Sequence, residues 1–412
     1  MSDYYDELET RSPKTRERAL FDALPAQIEH AKRKAPAYGA LLEGVNAKSI
    51  DSRAALAALP LTRKSELLER QAKTPPFGGF AATSTAELGH VFASPGPIFE
   101  PEARRPDYWR MARALFAAGL RSGELVHNTF SYHFTPAGFM LESAAHALGC
   151  PVIAAGVGQT ELQVQFISRI RPPFYVGTPS FLNIILDKAE ELAADVSCVK
   201  KALVSGEALP PSLRQNLADR GVAVRQCYAT ADLGLIAYES EAMEGMIVDE
   251  SVILEIVRPG TGDPVDTGEV GEVVVTTFNP DYPLIRFATG DLSAVMEGPS
   301  PCGRTNLRIK GWMGRADQTA KVRGMFVHPS QVAGVLKRHG EVLKGRLVID
   351  SVDHQDLMTL YCEVSGEPSE ALRTAIAGSI RELCKLRGEV VFDTPGSLAN
   401  DGKVIDDVRS YE

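Results

Sequence analysis

The most constraining feature of this 412-residue chain lies between residues 124 and 227, where short β-rich runs alternate with segments of helical character. Runs at 151–155, 174–176 and 201–204 are separated by helix-like stretches such as 137–148 and 180–194. That alternation predicts βαβ units around a parallel sheet. Between residues 248 and 295 the pattern changes to strands and turns, as in Val252-Ile-Leu-Glu-Ile-Val and Gly271-Glu-Val-Val-Val-Thr-Thr-Phe, which predicts a smaller antiparallel sheet. Residues from about 15 to 71 form a helical N-terminal region, with apolar residues at helical spacing over 15–34 and Pro25 as a candidate break or kink. After Gly311-Trp-Met-Gly314-Arg315 a third pattern begins: helices near 330–338 and 369–386, strands near 345–350 and 358–364. The expected fold class is therefore α/β. A large N-terminal domain, 1–314, holds parallel sheets and a small antiparallel sheet; a small mobile C-terminal α+β domain, 315–412, follows, with the boundary close to Asp317.

Charge and cysteine usage exclude several classes of function. A formal net charge of −9 argues against nucleic acid or anionic membrane as a general partner, because both need a basic surface to displace counterions. The first twenty residues carry Asp3, Asp6, Glu7 and Glu9 and lack a basic segment leading into an apolar stretch, and no run of about 18 apolar residues occurs. A cytoplasmic protein is expected. The six cysteines have no paired spacing, so reduced thiols are expected rather than a disulfide framework. No Gly-x-Gly-x-x-Gly fingerprint opens an early helix, which removes the dehydrogenase reading.

Four segments carry groups suited to chemistry. Tyr228-Ala-Thr-Ala-Asp232-Leu-Gly234 follows a β-like stretch and suits a turn at a sheet edge, where an aromatic ring stacks on a purine and a carboxylate holds Mg2+. A buried Tyr and a turn-forming Asp are the plainer alternative. Arg286-Phe-Ala-Thr-Gly-Asp291 sets a carboxylate after a Thr-Gly turn, where its oxygens can accept from both hydroxyls of a ribose, although Asp is common in turns for local reasons. Gly314-Arg315-Ala-Asp317 through Lys321-Val-Arg-Gly324 suits a hinge or a solvated linker. Asn400-Asp-Gly-Lys403 places a long cation in a glycine turn near the end of the chain, where an exposed lysine is the ordinary alternative.

In this order, the four segments resemble the adenylate-forming acyl and aryl ligases. The flanking sequence narrows the likeness to the phenylacetate-CoA ligase group over essentially the whole chain. Ala35-Pro-Ala-Tyr38, Leu59-Pro-Leu-Thr62-Arg-Lys64, Asn128-Thr-Phe-Ser-Tyr132-His133, Gly158-Gln-Thr-Glu161, Gly177-Thr-Pro-Ser-Phe-Leu182, Ser205-Gly-Glu207-Ala208 and Tyr282-Pro-Leu-Ile-Arg286 carry it. The resemblance implies that a carboxylate attacks the α-phosphate of ATP and that the thiol of coenzyme A then captures the acyl-adenylate. Tyr228, Ala229 and Thr230, with Ser205, Gly206, Glu207 and Ala208, would hold adenine. Asp232 would hold Mg2+, Asp291 the ribose, and Ser94 and Gly96 the phosphates. Arg315 would contact the nucleotide, and Lys403 would serve adenylation before the small domain turns about Asp317. Phe130, Tyr132, His133, Gly158, Gly177, Thr178 and Pro179 would line the pocket for an aryl or medium apolar acid. The resemblance also allows a homodimer.

The phosphate loop departs from the family pattern. A loop normally rich in Ser, Thr and Gly with a closing Lys reads Ala93-Ser94-Pro95-Gly96-Pro97-Ile98-Phe99-Glu100-Pro101, with Glu100 where a cation would help. Either Mg2+ and the nearby Arg104 and Arg105 supply an alternative cradle, or ATP turnover is impaired. The acid of the adenine motif is Asp232 in place of Glu. At the positions where some relatives bind zinc stand Ser240, Ile247, Ser300 and Cys302, so no zinc is expected. The alternative functions are adenylation with transfer to another acceptor such as a carrier protein, and a non-catalytic protein that binds nucleotide or acid.

Overall fold

The computed structural model describes residues 3–95, 97–258, 261–313, 316, 320–327, 329–352, 355–398 and 404–409. The chain forms two compact units, Met1–Met313 and Gly314–Glu412. The first is built on a nine-stranded mixed sheet. Strands Val152–Ala154, Val126–Asn128, Phe174–Gly177, Lys201–Val204 and Ala223–Thr230 lie side by side in that order and run parallel. Beyond them Gly234–Tyr238, Met246–Val248, Arg308–Ile309 and Val295–Met296 continue the sheet antiparallel. Helices Ala137–Ala147 and Pro179–Glu191 are crossovers of the parallel part, as the alternation requires. Strand Ala223–Thr230 is the pivot: its first half pairs parallel with Lys201–Val204, its second half antiparallel with Gly234–Tyr238.

A second sheet of four strands contains the antiparallel set Val252–Val257, Gly271–Thr277 and Phe287–Ser293. Its fourth strand, Thr62–Arg63, comes from the helical N-terminal region and pairs parallel with Phe287 and Ala288. Helix Pro13–Lys34 runs unbroken through Pro25. A proline there removes one intrahelical donor; the buried stripe Leu20, Phe21, Leu24, Ile28 and Ala31 holds the helix all the same. Gln27, on that stripe, donates to the carbonyls of Thr277 and Asn279 and ties the helix to the small sheet.

Residues 93–101, expected as a loop, are mostly strand. Leu88–Ser94 and Ile98–Ala103 form an antiparallel hairpin that brings Ser94 opposite Ile98. The second unit holds a four-stranded sheet in the order Glu389–Asp393, Gln355–Val364, Val342–Val352, Ile405–Asp407. Helices Pro329–Lys337 and Glu370–Cys384 accompany it, around a core of Val332, Val335, Leu347, Leu360, Ile376 and Ile380. Among the described residues no helix is long and apolar enough to cross a membrane.

Candidate nucleotide and acid site

Three strands of the parallel set end together, at Asn128, Gly177 and Val204, and the segments that follow them carry most of the expected binding residues. Carboxyl ends of parallel strands are where α/β sheets bind ligands, because the chain must leave the sheet there through exposed turns. Phe130, Thr178 and Gly206 converge at this end: a Cβ added to Gly206 would lie 3.7 Å from the Phe130 ring and 3.8 Å from the Thr178 methyl. Ser205 donates its hydroxyl to the Cys227 carbonyl, and Glu207 accepts from the Ser180 amide at 2.7 Å. Thr178 caps helix Pro179–Glu191, with Pro179 as its first residue.

Other expected acid-site residues are committed elsewhere. The Tyr132 hydroxyl donates to Glu142 and accepts from Asn128, both at 2.8 Å, while His133 is exposed on its loop. Gly177 is packed on the side where a Cβ would stand, 2.0 Å from Thr129 Oγ1 and 2.2 Å from the Tyr175 hydroxyl, so that face lines no open space. The Gly158 carbonyl accepts from Gln163.

The Tyr228–Gly234 segment forms a tight turn between two central strands rather than at a sheet edge. Thr230 Oγ1 accepts from the Leu233 amide at 3.1 Å, and Gly234, at φ +73°, sits where a Cβ would meet the Trp109 carbonyl at 2.5 Å. This turn buries the Asp232 side chain. Its Oδ2 accepts from Lys64 Nζ at 2.5 Å, and its Oδ1 has no hydrogen-bond partner among the described residues. Thr289, Gly290 and Asp291, expected as a turn, form a bulge inside strand Phe287–Ser293. The two oxygens of Asp291 accept from the Tyr228 hydroxyl at 2.8 Å and from Trp312 Nε1 at 3.1 Å. Tyr228 and Asp291, 63 residues apart, are thus in direct contact.

The charge balance at Asp232 was not visible in the sequence. Lys64 follows strand Thr62–Arg63, whose pairing with Phe287 and Ala288 delivers it to the acids. Burial alone would pull the Lys64 ammonium down; Asp232, with Glu100 and Asp291 beyond it, more than reverses this, and the net shift is upward. Glu100 is fully buried in the hairpin and accepts from both the amide and the hydroxyl of Ser94. Burial, then repulsion from Asp232, raises its carboxyl from 4.5 to about 8 against the opposing Ser94 and Lys64 contributions. The arginines expected to assist the loop are engaged elsewhere. Arg104 donates to the Leu88 carbonyl and Arg105 pairs with Asp281. Among the described residues, Lys64 is the cation that faces these acids.

Glu100 gives a pH prediction. A carboxyl whose folded value is raised binds its proton more tightly in the folded state, so its contribution to stability is full below 4.5 and is lost as pH rises through about 8. Glu100→Gln should remove that component. Thermal melts from pH 6 to about 9 are expected to show a steeper decline for the unsubstituted chain than for the variant; parallel curves would mean that Glu100 titrates as an ordinary carboxyl.

Gly96, Arg315, Asp317 and Lys403 lie outside the described residues. Ser240, Ser300 and Cys302 form a hydrogen-bonded group with Arg304, in which Cys302 Sγ lies 3.1 Å from Ser300 Oγ and 3.6 Å from Arg304 Nη1. Among the described residues no three His, Cys, Asp or Glu side chains are placed to hold a metal ion.

The fold is that of the adenylate-forming enzymes. Residues 109–279 match the family described as AMP-binding enzyme. The phenylacetate-coenzyme A ligase of Thermus thermophilus is 30% identical over 384 residues, covering 88% of this chain and 84% of the relative. That of Aromatoleum evansii is 28% identical, covering 85% and 82%. A crystal structure of 2-hydroxyisobutyryl-CoA ligase in complex with 2-HIB-AMP and CoA has the same fold, with a TM-score of 0.84 at 24% identity over all of this chain and 93% of that one. The chain belongs to the AMP-forming acyl-CoA ligase family, within its phenylacetate-CoA ligase group.

Proposed function

We propose that this chain activates an aryl or similarly apolar carboxylic acid with ATP and passes the acyl group to coenzyme A. The observation that carries the reading is the contact of Tyr228 with Asp291, beside the Asp232–Lys64 pair. This couples the ring and acid that fit an adenosine to the charges that fit its phosphates. In the first half-reaction a substrate carboxylate oxygen bonds to the α-phosphorus as pyrophosphate leaves. In the second the sulfur of coenzyme A attacks the acyl carbon and AMP leaves. Catalysis of this kind rests on positioning and charge stabilisation. Asp291 would accept from the ribose hydroxyls in place of Tyr228 and Trp312. Phe130 and Thr178 would border the acid next to Gly206.

The unpartnered Asp232 Oδ1 suits a hard cation, since Mg2+ is commonly held by one or two carboxylates plus substrate phosphates. Bound there, Mg2+ would offset phosphate charge, while Lys64 keeps the other oxygen of Asp232 in place. Lys403 and Arg315 are assigned by family likeness to adenylation and nucleotide contact, and Asp317 to the hinge between domains 1–314 and 315–412.

Pyrophosphate release with Mg-ATP is the test, using aryl, indolyl and medium-chain acids with and without coenzyme A. Aryl-acid-dependent release stimulated by coenzyme A is the expected result. Release that coenzyme A leaves unchanged would point to another acceptor, such as a carrier protein. Nucleotide binding without release would favour the non-catalytic alternative.

A further inference from the structure

The hairpin at the phosphate position contains its own acid. Two donors of the hairpin suit a phosphate, the amide and the hydroxyl of Ser94, because anion cradles are made from such groups. Both donate to Glu100: the amide at 3.1 Å to Oε2, the hydroxyl to Oε1. The geometry is that of a carboxyl group occupying a two-point anion cradle. The neighbouring prolines, Pro95, Pro97 and Pro101, have no amide hydrogen to add.

The hairpin is also fastened in this arrangement. Gln71 pairs with the Phe99 backbone in both directions at 2.8 Å, and the Ala93 amide donates to the Phe134 carbonyl at 2.8 Å. Glu100 itself has no exposed surface. Access of a phosphate to Ser94 therefore requires Glu100 to give up two hydrogen bonds within a fixed hairpin.

We propose that Glu100 is a specificity-determining residue of the nucleotide site: by holding both Ser94 donors it disfavours a polyphosphate relative to a nucleotide carrying one phosphate. The inference rests on the reading of this hairpin as the phosphate loop and deepens it. AMP and the acyl-adenylate have no β- or γ-phosphate to place at Ser94, so the site as built is matched to them. ATP must compete with the carboxyl for its cradle.

Calorimetric titration of the full chain with AMP and with Mg-ATP, in the absence of acid, tests this. Glu100→Thr frees Ser94 and suits a strand position through its β-branched side chain. It is expected to tighten ATP binding about tenfold, the scale of one charge-assisted hydrogen bond, and to change AMP binding by less than about threefold. Ser94→Ala completes a double-mutant cycle: it removes the hydroxyl and keeps the amide, so the gain from Glu100→Thr should fall to about threefold in the Ser94→Ala background. If Glu100→Thr does not melt cooperatively, Glu100→Gln replaces it. Glutamine replaces one of the two acceptor oxygens by an NH2 group, which cannot accept from the Ser94 donor that faced it, and a gain of about threefold is expected. AMP and ATP binding that both stay unchanged in the variants would overturn the inference alone. A gain in ATP affinity that stays at its full size in the Ser94→Ala background would also overturn it. Absence of AMP binding to the unsubstituted chain would overturn the nucleotide reading and the inference with it.

Discussion

Lys64→Met is expected to destabilise the first unit by about 3 kcal/mol, most of which a second change, Asp232→Asn, should restore. The Asp232 carboxylate is inaccessible to solvent, and Lys64 Nζ, 2.5 Å away, is its side-chain donor among the described residues. Removing one member of a buried ion pair costs about 3–5 kcal/mol because the other is left without compensation. The low end applies here, since 23% of the Lys64 side chain is accessible and solvent screens part of the pair. Methionine keeps the length and apolar stem of lysine, so the change isolates the charge. Asparagine at 232 removes the group that needed the charge. Urea melts followed by tryptophan fluorescence report on the right unit, as both tryptophans, Trp109 and Trp312, lie in Met1–Met313. A single variant within about 0.5 kcal/mol of the unsubstituted chain, the usual scale of neutral surface changes, would mean that the pair is screened and organises nothing.

The parts of this structure that were legible in the sequence are those fixed by short-range pattern. Strand Lys201–Val204 and helix Ala137–Ala147 stand where apolar spacing put them, because a crossover helix and a buried strand each impose their own period on adjacent residues. The hairpin at 93–101 was misjudged for a local reason. Its three prolines argue against a strand, yet Pro95 and Pro97 fall between the two strands, and Pro101, within the second, is tolerated in a two-stranded ribbon whose outer edges need no partner. Glu100 is buried by that pairing, and the loop reading gave no cause to expect it. The charges around Asp232 were hidden for a different reason. Lys64 and Glu100 are 168 and 132 residues away in the chain, and no periodicity links them. Lys64 arrives through the two-residue parallel pairing of Thr62–Arg63, a bridge between the helical region and the small sheet. Tyr228 and Asp291 could be named from their motifs. Their contact, and the role of Trp312 as the second donor to Asp291, depended on the position of one sheet against another.

The same long-range logic predicts that Glu9, far from the site in sequence, is required for it. Glu9 is wholly buried and accepts from Arg113 Nη1 at 3.0 Å, Arg304 Nε at 2.9 Å, the Tyr238 hydroxyl at 3.1 Å and the Tyr5 amide at 3.3 Å. One carboxylate thus joins helix Ala112–Ala117, the segment before strand Arg308–Ile309, and strand Gly234–Tyr238. That last strand is the return arm of the turn carrying Asp232, and it pairs with Tyr228 through Ala237. Glu9→Ala would leave two buried guanidinium groups short of an acceptor and a buried tyrosine hydroxyl unpaired. Arg113 retains Asp6 and Arg304 retains Glu241, which limits the loss. The expected cost is still about 3–5 kcal/mol, larger than for Lys64→Met because Glu9, both guanidinium groups and the Tyr238 hydroxyl are buried. Glu9→Gln should cost less than Glu9→Ala, since its amide oxygen can accept from one arginine while its amino group faces the other. Below the melting temperature, Glu9→Ala should also weaken AMP binding, because the strand that positions Tyr228 and Asp232 loses its anchor. If urea melts show the loss of stability while AMP binds as before, the turn between Ala223–Thr230 and Gly234–Tyr238 holds its shape without Glu9, and the network serves only to fasten the N-terminal segment.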